Sequence, residues 1–379
     1  MTKREQFLPY GQQWIEEDDI VAVIETLNSP YLTTGPKISQ FEQLVAEYVG
    51  AKYAVAFSNG TAALHGACYA AGIGAGDEVI TSPITFAASA NCARYMGAEI
   101  VFADIDPNTY NIDPEQIRRH VTDKTKVIIP VDFTGQPCDI DAIMDIAKQN
   151  GLIVIQDGAH SLGAEYKGKK VGTQADMTMF SFHPVKPVTT AEGGVIVTNN
   201  AEYYEKLKLF RTHGITTTSY AKEQGDWYYE MVDLGYNYRM TDLQAALGIS
   251  QMKKLKRFIE RRRELAALYT ELLKDVKGVT IPYQSSHSQS GWHLYSIQLD
   301  EQAIGKSRKQ IFEQMRASNI GVHVHYIPVY WFPYYEQLGY MKGICPVAEK
   351  WYEGALTLPL YPKMSEQDVH DVVNRLKQI

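Results

Sequence analysis

Between Gly151 and Asn200 the chain carries three short apolar runs, Leu152–Ile155, Met177–Phe182 and Gly194–Thr198, each closed by turn residues. Runs this short, rich in Val and Ile, suit interior strands of a sheet covered on both faces. A sheet of that kind needs helices on either side, which constrains everything around it. The polar residues collect where the runs stop. Asp157 follows the first, with His160 one turn on. Ser181 and His183 close the second, and Lys186 follows between Pro184 and Pro187. In open α/β sheets ligands bind beyond the carboxyl ends of the strands, so this pattern delivers an acid, a histidine, a hydroxyl and a lysine to one crevice.

The flanking sequence supplies the helices. An extended arm runs to about Trp14. A helical pattern follows from Glu17, with Ile20, Val23, Ile24 and Leu27 on one face and Ser29-Pro30 as its stop. After the loop 31–37, Ile38, Phe41, Leu44, Val45 and Tyr48 form a second stripe, ended by Gly50. Strands and helices then alternate: strand Tyr53–Phe57, helix 62–73, strand Glu78–Thr81, helix Phe86–Met96, strand Ile100–Ile105, helix 113–121, strand Val127–Asp132 and helix Ile140–Asn150. This order predicts a mostly parallel sheet with right-handed crossovers. A helix is expected at 201–211, an aromatic loop at 213–238 and one long helix from about Thr241 to Leu273. Beyond it, strands at 279–282, 293–299 and 321–326 and helices at 307–317 and 365–378 read as a smaller α+β domain.

Composition narrows the classes. The 379 residues are 45% hydrophobic and 21% charged, an ordinary globular make-up. A net charge of −7 argues against a nucleic-acid partner or an anionic membrane surface. Cys68, Cys92, Cys138 and Cys345 are far apart, with no C-x-x-C and no Cys/His cluster, so no metal or disulfide is expected. The N-terminal stretch lacks an apolar leader, and no apolar run approaches the ~18 residues of a membrane span. The cytoplasm is the expected location.

A lone lysine or aspartate after a strand is ordinarily a solvated loop or cap residue. Together, 29 residues apart and each behind a strand-length run, Asp157 and Lys186 meet the needs of one cofactor. Pyridoxal 5′-phosphate (PLP) takes a lysine amine for covalent attachment, a carboxylate at its pyridinium nitrogen, and N–H and hydroxyl groups around its phosphate. The turn Ser58-Asn59-Gly60-Thr61-Ala62 opens a helix whose first amides suit an anion. Arg239, in GYNYRMTD, has a planar fork that suits a carboxylate or a diphosphate. In GVHVHYIPVY the alternation puts His323 and His325 on one face.

The segments QDGAHSLGAEYKGKKVG and SFHPVKPVTTAEGGVIVTN, within a similarity running from LTTGPKISQFE to the C-terminus, resemble the DegT/StrS family of nucleotide-sugar aminotransferases. The resemblance implies a fold-type I, aspartate aminotransferase-like α/β enzyme with a seven-stranded, mostly parallel sheet. It implies an N-terminal arm at 1–16 packing with the small domain, a large PLP-binding domain at 17–250 and a small C-terminal domain at 251–379. It implies that Thr61, Ala62 and Ser181 hold the phosphate, that Phe86 stacks on the pyridine ring, that Asp157 meets its nitrogen and that His160 supports its edge. Lys186 becomes the attachment point and the general acid/base. Sugar-dehydrating relatives carry His at that position, so the lysine points to transamination. Asn237 is expected to reach a neighbour's phosphate across a homodimer interface. Tyr10, Thr33, Arg239 and His325 are candidates for substrate contact, and no metal is implied. The expected partners are L-glutamate and a UDP-linked 4-keto-6-deoxy-N-acetylhexosamine, first the β-L-arabino epimer of pseudaminic acid biosynthesis. The D-xylo epimer and dTDP sugars are alternatives, and a non-enzymatic ligand-binding protein of this fold is a more distant one.

Overall fold

The computed structural model describes residues 4–379. Its centre is a seven-stranded sheet in the order Tyr53–Phe57, Gly194–Thr198, Met177–Ser181, Ile153–Asp157, Thr125–Ile129, Glu78–Thr81, Glu99–Phe102. Gly194–Thr198 runs antiparallel to both its neighbours, and the other pairings are parallel. The reversal has a simple cause. Parallel neighbours need a long crossover, usually a helix. The segment from Phe182 to Gly193 contains no helix, so the chain returns antiparallel and leaves its loop, with Lys186, at one end of the sheet.

Successive strand residues face opposite sides. Val55 and Phe57 pack with the alanine-rich helix Gly60–Ala70, while Ala54 and Ala56 pack with Pro36–Val49. Ile80, Ile128 and Val154 join Ile140, Ile143 and Ile146 of the helix Ile140–Asn150. Both faces are therefore dry, as continuous apolar strands require.

A second core gathers around a three-stranded antiparallel sheet of Val279–Thr280, Tyr295–Leu299 and Ala355–Leu358, covered by Leu255–Leu273, Arg308–Ala317 and Glu366–Lys377. The arm joins it: the Leu8 amide donates to Asn319 O at 2.9 Å, the Gly321 amide to Leu8 O at 2.7 Å, and Arg4 pairs with Asp368 and Asp371.

Several elements differ from expectation. The long helix is two, Asp242–Met252 and Leu255–Leu273. At the break Lys254 turns into the protein and meets Asp18 at 2.6 Å and Asp19 at 2.7 Å. The stretch 321–326 is no strand. It makes one bridge, His323 to Thr357, because His325 and Tyr326 then leave the ladder to bond Thr357 Oγ1 and His160. The loop 213–238 contains a helix, Ser219–Gln224, and a paired Ile215–Thr216 and Glu230–Met231. The helix expected at Phe86–Met96 is shorter, Ala88–Arg94, which frees Phe86.

Candidate active site

Asp157 is the last residue of Ile153–Asp157 and is buried. Its Oδ2 accepts from Ser89 Oγ at 2.6 Å and its Oδ1 from the Ala159 amide at 3.1 Å. Burial raises its carboxyl above the ordinary range, against the opposing pull of Ser89, the Ala159 amide and the Lys186 charge. Lys186 is half-buried along its length while its amine end is enclosed. Burial lowers its ammonium to about 8, opposed by Asp157 and assisted by Arg262. The two groups that the sequence pairs thus also feel each other in space.

The strand end at Ser181 meets the start of helix Gly60–Ala70. A Cβ at Gly60 would lie 3.5 Å from Ser181 Oγ. A Cβ at Gly194 would lie 2.5 Å from Asn59 O, so only glycine lets that turn approach the sheet so closely. Asn59 caps the helix, its Oδ1 accepting from the Ala62 amide at 2.8 Å. The Gly60 and Thr61 amides, in the first turn, have no intrahelical acceptor. An anion site is the natural use of such a mouth beside a serine hydroxyl.

Phe86 is 63% exposed, with its ring 6.4 Å from that of Tyr326. An apolar ring of that size left exposed is suited to stacking on a flat partner. His160 is buried with its Nε2 3.2 Å from Tyr326 Oη, and its Nδ1 has no partner. The exposed ring, the buried carboxylate without a bonded cation and the helix mouth beside Ser181 together fit PLP.

Three residues of this site escaped sequence reasoning. His293 is buried with its Nε2 3.4 Å from Lys186 Nζ. Tyr326 is the partner of His160. Arg262 is fully buried and donates only to backbone carbonyls, one of them Val185 O at 3.4 Å. Nothing local marks them, since each comes from a segment distant in sequence.

The candidates for substrate contact divide into two groups. Tyr10 lies against His325 and His323, with ring centroids 5.3 and 5.2 Å away, and its neighbour Gly11 sits against Val185. His325 is buried, bonded through Nδ1 to Thr357 Oγ1 at 3.0 Å, and lowered to about 3 by burial, with His323 and Lys186 adding to the shift. It stays neutral. Arg239 and the LTTGP loop form the other group. Arg239 pairs with Phe57 through the backbone, Thr33 pairs with Thr241, and Thr34, Gly35, Arg211 and Arg239 border a cavity of about 230 Å³. Asn237 is exposed on the same stretch, bridged to Thr212. A larger groove, about 730 Å³, lies away from all of these, between Glu271, Ile304 and Leu376.

The sheet and its strand-end residues define a class, the fold-type I PLP-dependent aminotransferases. Within that class, the family model "DegT/DnrJ/EryC1/StrS aminotransferase family" matches residues 13–377, and the chain belongs to that family. It is 44% identical to the spore coat polysaccharide biosynthesis protein SpsC of Bacillus subtilis, over 100% of this chain and 98% of that one. It is 40% identical to the UDP-4-amino-4,6-dideoxy-N-acetyl-beta-L-altrosamine transaminase of Campylobacter jejuni, over 98% and 97%. The solved structure of Helicobacter pylori PseC, an aminotransferase involved in pseudaminic acid biosynthesis, superposes with a TM-score of 0.92 at 33% identity, covering 98% and 99%.

Proposed function

We propose that the protein transfers the amino group of L-glutamate to C4 of UDP-2-acetamido-2,6-dideoxy-β-L-arabino-hexos-4-ulose, giving UDP-4-amino-4,6-dideoxy-N-acetyl-β-L-altrosamine in the cytoplasm. The observation that carries the reading is full-length similarity to a transaminase named for that product, at 40% identity. PLP, when bound, supplies the electron sink that lets the bonds at the amine-bearing carbon exchange a proton.

The chain's own groups divide the work. Lys186 is the attachment lysine and the proton carrier. Burial lowers its ammonium to about 8, toward the range in which an amine can both take and return a proton. Asp157 would present its carboxylate to the ring nitrogen, and His160, one turn on, would support the ring edge. Phe86 covers one face. Thr61, the Gly60–Ala62 mouth and Ser181 hold the phosphate, with the Ala62 amide shared with its Asn59 cap. Tyr10 and His325 border the sugar. We assign the chain an arm at 1–16, a large domain at 17–250 and a small one at 251–379.

The site is completed in a homodimer. Ile24 (50% exposed) and Leu27 (55%) on helix Glu17–Leu27, and Leu234 (70%) close to Asn237, form apolar surface of the kind a second copy covers. In that assembly Asn237 and Arg239 serve the neighbouring site.

A second reading, the same chemistry on another nucleotide 4-keto sugar, draws on SpsC, a relative at 44% identity whose name gives polysaccharide biosynthesis and not the altrosamine product. The test is a half-reaction. The protein is converted with L-glutamate to its pyridoxamine form and desalted, and the β-L-arabino and α-D-xylo 4-keto sugars are added separately. Return of the PLP absorption with the L-arabino isomer alone supports the first reading. Return with the D-xylo isomer alone, or with neither, overturns it in favour of the second.

A further inference from the structure

His293 meets the lysine amine within hydrogen-bonding range, although nothing in the sequence marks it. The contact is 3.4 Å from Nζ to Nε2, and His293 is only 4% exposed. A lysine ammonium has three donors and no acceptor. While Lys186 is protonated, the imidazole can therefore only accept, which puts the imidazole proton on Nδ1, a buried atom with no partner.

The backbone around His293 is held with unusual care. Trp292 sits in the left-handed region at φ 47°, a costly conformation for a bulky residue. The Gly291 amide donates to Gly135 O at 2.9 Å and the Leu294 amide to Thr134 O at 3.1 Å, so both ends of the turn are tied to the 134–135 segment. Gly135 itself has φ 104°, and a Cβ there would lie 2.9 Å from Trp292 N and 3.0 Å from His293 N.

Arg262 links this turn to the lysine loop. Its Nη1 donates to Trp292 O at 3.3 Å, His293 O at 3.2 Å and Leu360 O at 2.8 Å, and its Nη2 to Val185 O at 3.4 Å. Among the described residues no carboxylate pairs with it. A buried guanidinium kept without a counter-ion is costly. What it gains here is four carbonyls, one just before Lys186 and one on His293 itself.

We propose that His293 is the acceptor that holds the Lys186 amine in place whenever that amine is not bonded to cofactor, and that Arg262 positions the pair by gripping both backbone segments. The groups facing His293 are Lys186, His160 (ring centroids 4.3 Å apart), Arg262 and His325. Burial and these neighbours keep its imidazole neutral, so it orients the lysine without taking the proton that the lysine must deliver. An amine on four rotatable bonds otherwise leaves the reacting geometry each time it is released. The inference rests on Lys186 being the attachment lysine.

The test uses His293→Ala and His293→Gln, whose side-chain carbonyl restores an acceptor. In cofactor-free protein the pH profile of Lys186 acetylation is read by peptide mass spectrometry. Losing a bond to the charged form should lower the midpoint by about half a unit in His293→Ala and return it in His293→Gln. In the loaded enzyme the L-glutamate half-reaction should slow by about 10- to 100-fold in His293→Ala with KM for glutamate within about twofold, and largely recover in His293→Gln. Arg262→Lys should lower the same rate by about tenfold, because an ammonium cannot span those carbonyls. An unchanged midpoint and rate in His293→Ala, or a Gln variant no better than Ala, overturns the proposal. Should His293→Ala not fold, His293→Leu, of similar volume and without an acceptor, takes its place. Borohydride reduction of the wild-type holoenzyme separates the underlying reading: label on a lysine other than Lys186 sinks that reading, whereas label on Lys186 with unmoved His293 variants sinks only this one.

Discussion

Ser89 Oγ donates to Asp157 Oδ2 at 2.6 Å, and Thr85 Oγ1 lies 2.7 Å from the same serine hydroxyl. A short hydroxyl chain thus orients the carboxylate without neutralising it. Burial holds the Asp157 carboxyl above its ordinary value. A group raised in the fold contributes stability that is full below the unfolded carboxyl value, near 4, and lost as pH rises through the elevated folded one. Above that raised value the ionised carboxylate therefore weakens the cofactor-free protein. Asp157→Asn should raise the apo Tm at pH 7 by about 1–3 °C, with the gain shrinking toward pH 4. With Asp157 in the role proposed for it at the ring nitrogen, the same change should cost at least about 100-fold in transamination. Calorimetry of apo protein between pH 4 and 8, beside steady-state rates, checks both. A variant less stable at pH 7 would show that the carboxylate's hydrogen bonds outweigh its burial.

Lys186 has the opposite sign. Its ammonium is lowered from 10.5 to about 8. Between those values the unfolded chain binds the proton and the folded chain does not, so apo stability gains with pH across that window. Below pH 8 the buried charge is a full penalty. Lys186→Met should stabilise apo protein at pH 7, and the advantage should fade as pH rises from 8 to 10.5. Denaturant titrations at pH 7, 8.5 and 10 measure it, and a constant difference would mean that the amine is not shifted.

Phe86 separates stability from cofactor binding. At 63% exposure its ring contributes little to the apo core. Stacked on a flat heteroaromatic ring, such a side chain is worth about 1 kcal/mol. Phe86→Ala should leave the apo Tm within about 1 °C and weaken PLP binding by about fivefold to tenfold. Thermal melts without cofactor and an absorbance titration with it give the two numbers. Loss of apo stability would instead make Phe86 a core residue.

The parts legible in the sequence were those whose chemistry is local. Asp157, Ser181 and Lys186 stand just beyond apolar runs, and a strand end is visible from the run alone. The Gly60-Thr61 turn shows itself as a strand-to-helix junction. His293, Arg262 and Tyr326 carry no such mark. His293 falls at the head of the run 293–299, expected as a strand, where it is indistinguishable from a core histidine; Arg262 lies among charged residues of a helix and reads as surface. Only the packing of Leu255–Leu273 beneath the lysine loop brings Arg262 inside. The break at Lys254 is hidden for the same reason, because its partner Asp18 lies 236 residues away and Asp19 stands beside it. The reading of 321–326 as a strand failed through side-chain competition: the alternation is real, with the rings of His323 and His325 4.5 Å apart, but His325 and Tyr326 find partners in the cleft and the ladder stops.

The helix Glu17–Leu27 poses the remaining problem, since Ile20, Ile24 and Leu27 share a face that stays at least 44% exposed in the single chain. Apolar residues in helical register are normally placed against something. If a second copy covers that face, Ile24→Glu puts a charge into the interface, where burial without a partner is strongly unfavourable. Dimer dissociation should rise by about tenfold or more, read by sedimentation velocity across a dilution series. Asn237 makes the outcome informative about the site as well. It is exposed in the single chain. If it serves the neighbour's phosphate, monomers of Ile24→Glu should bind PLP more weakly, and Asn237→Ala should weaken PLP in dimers without shifting the dissociation constant. Monomers that hold PLP as tightly as wild type would mean that each chain builds its cofactor site alone.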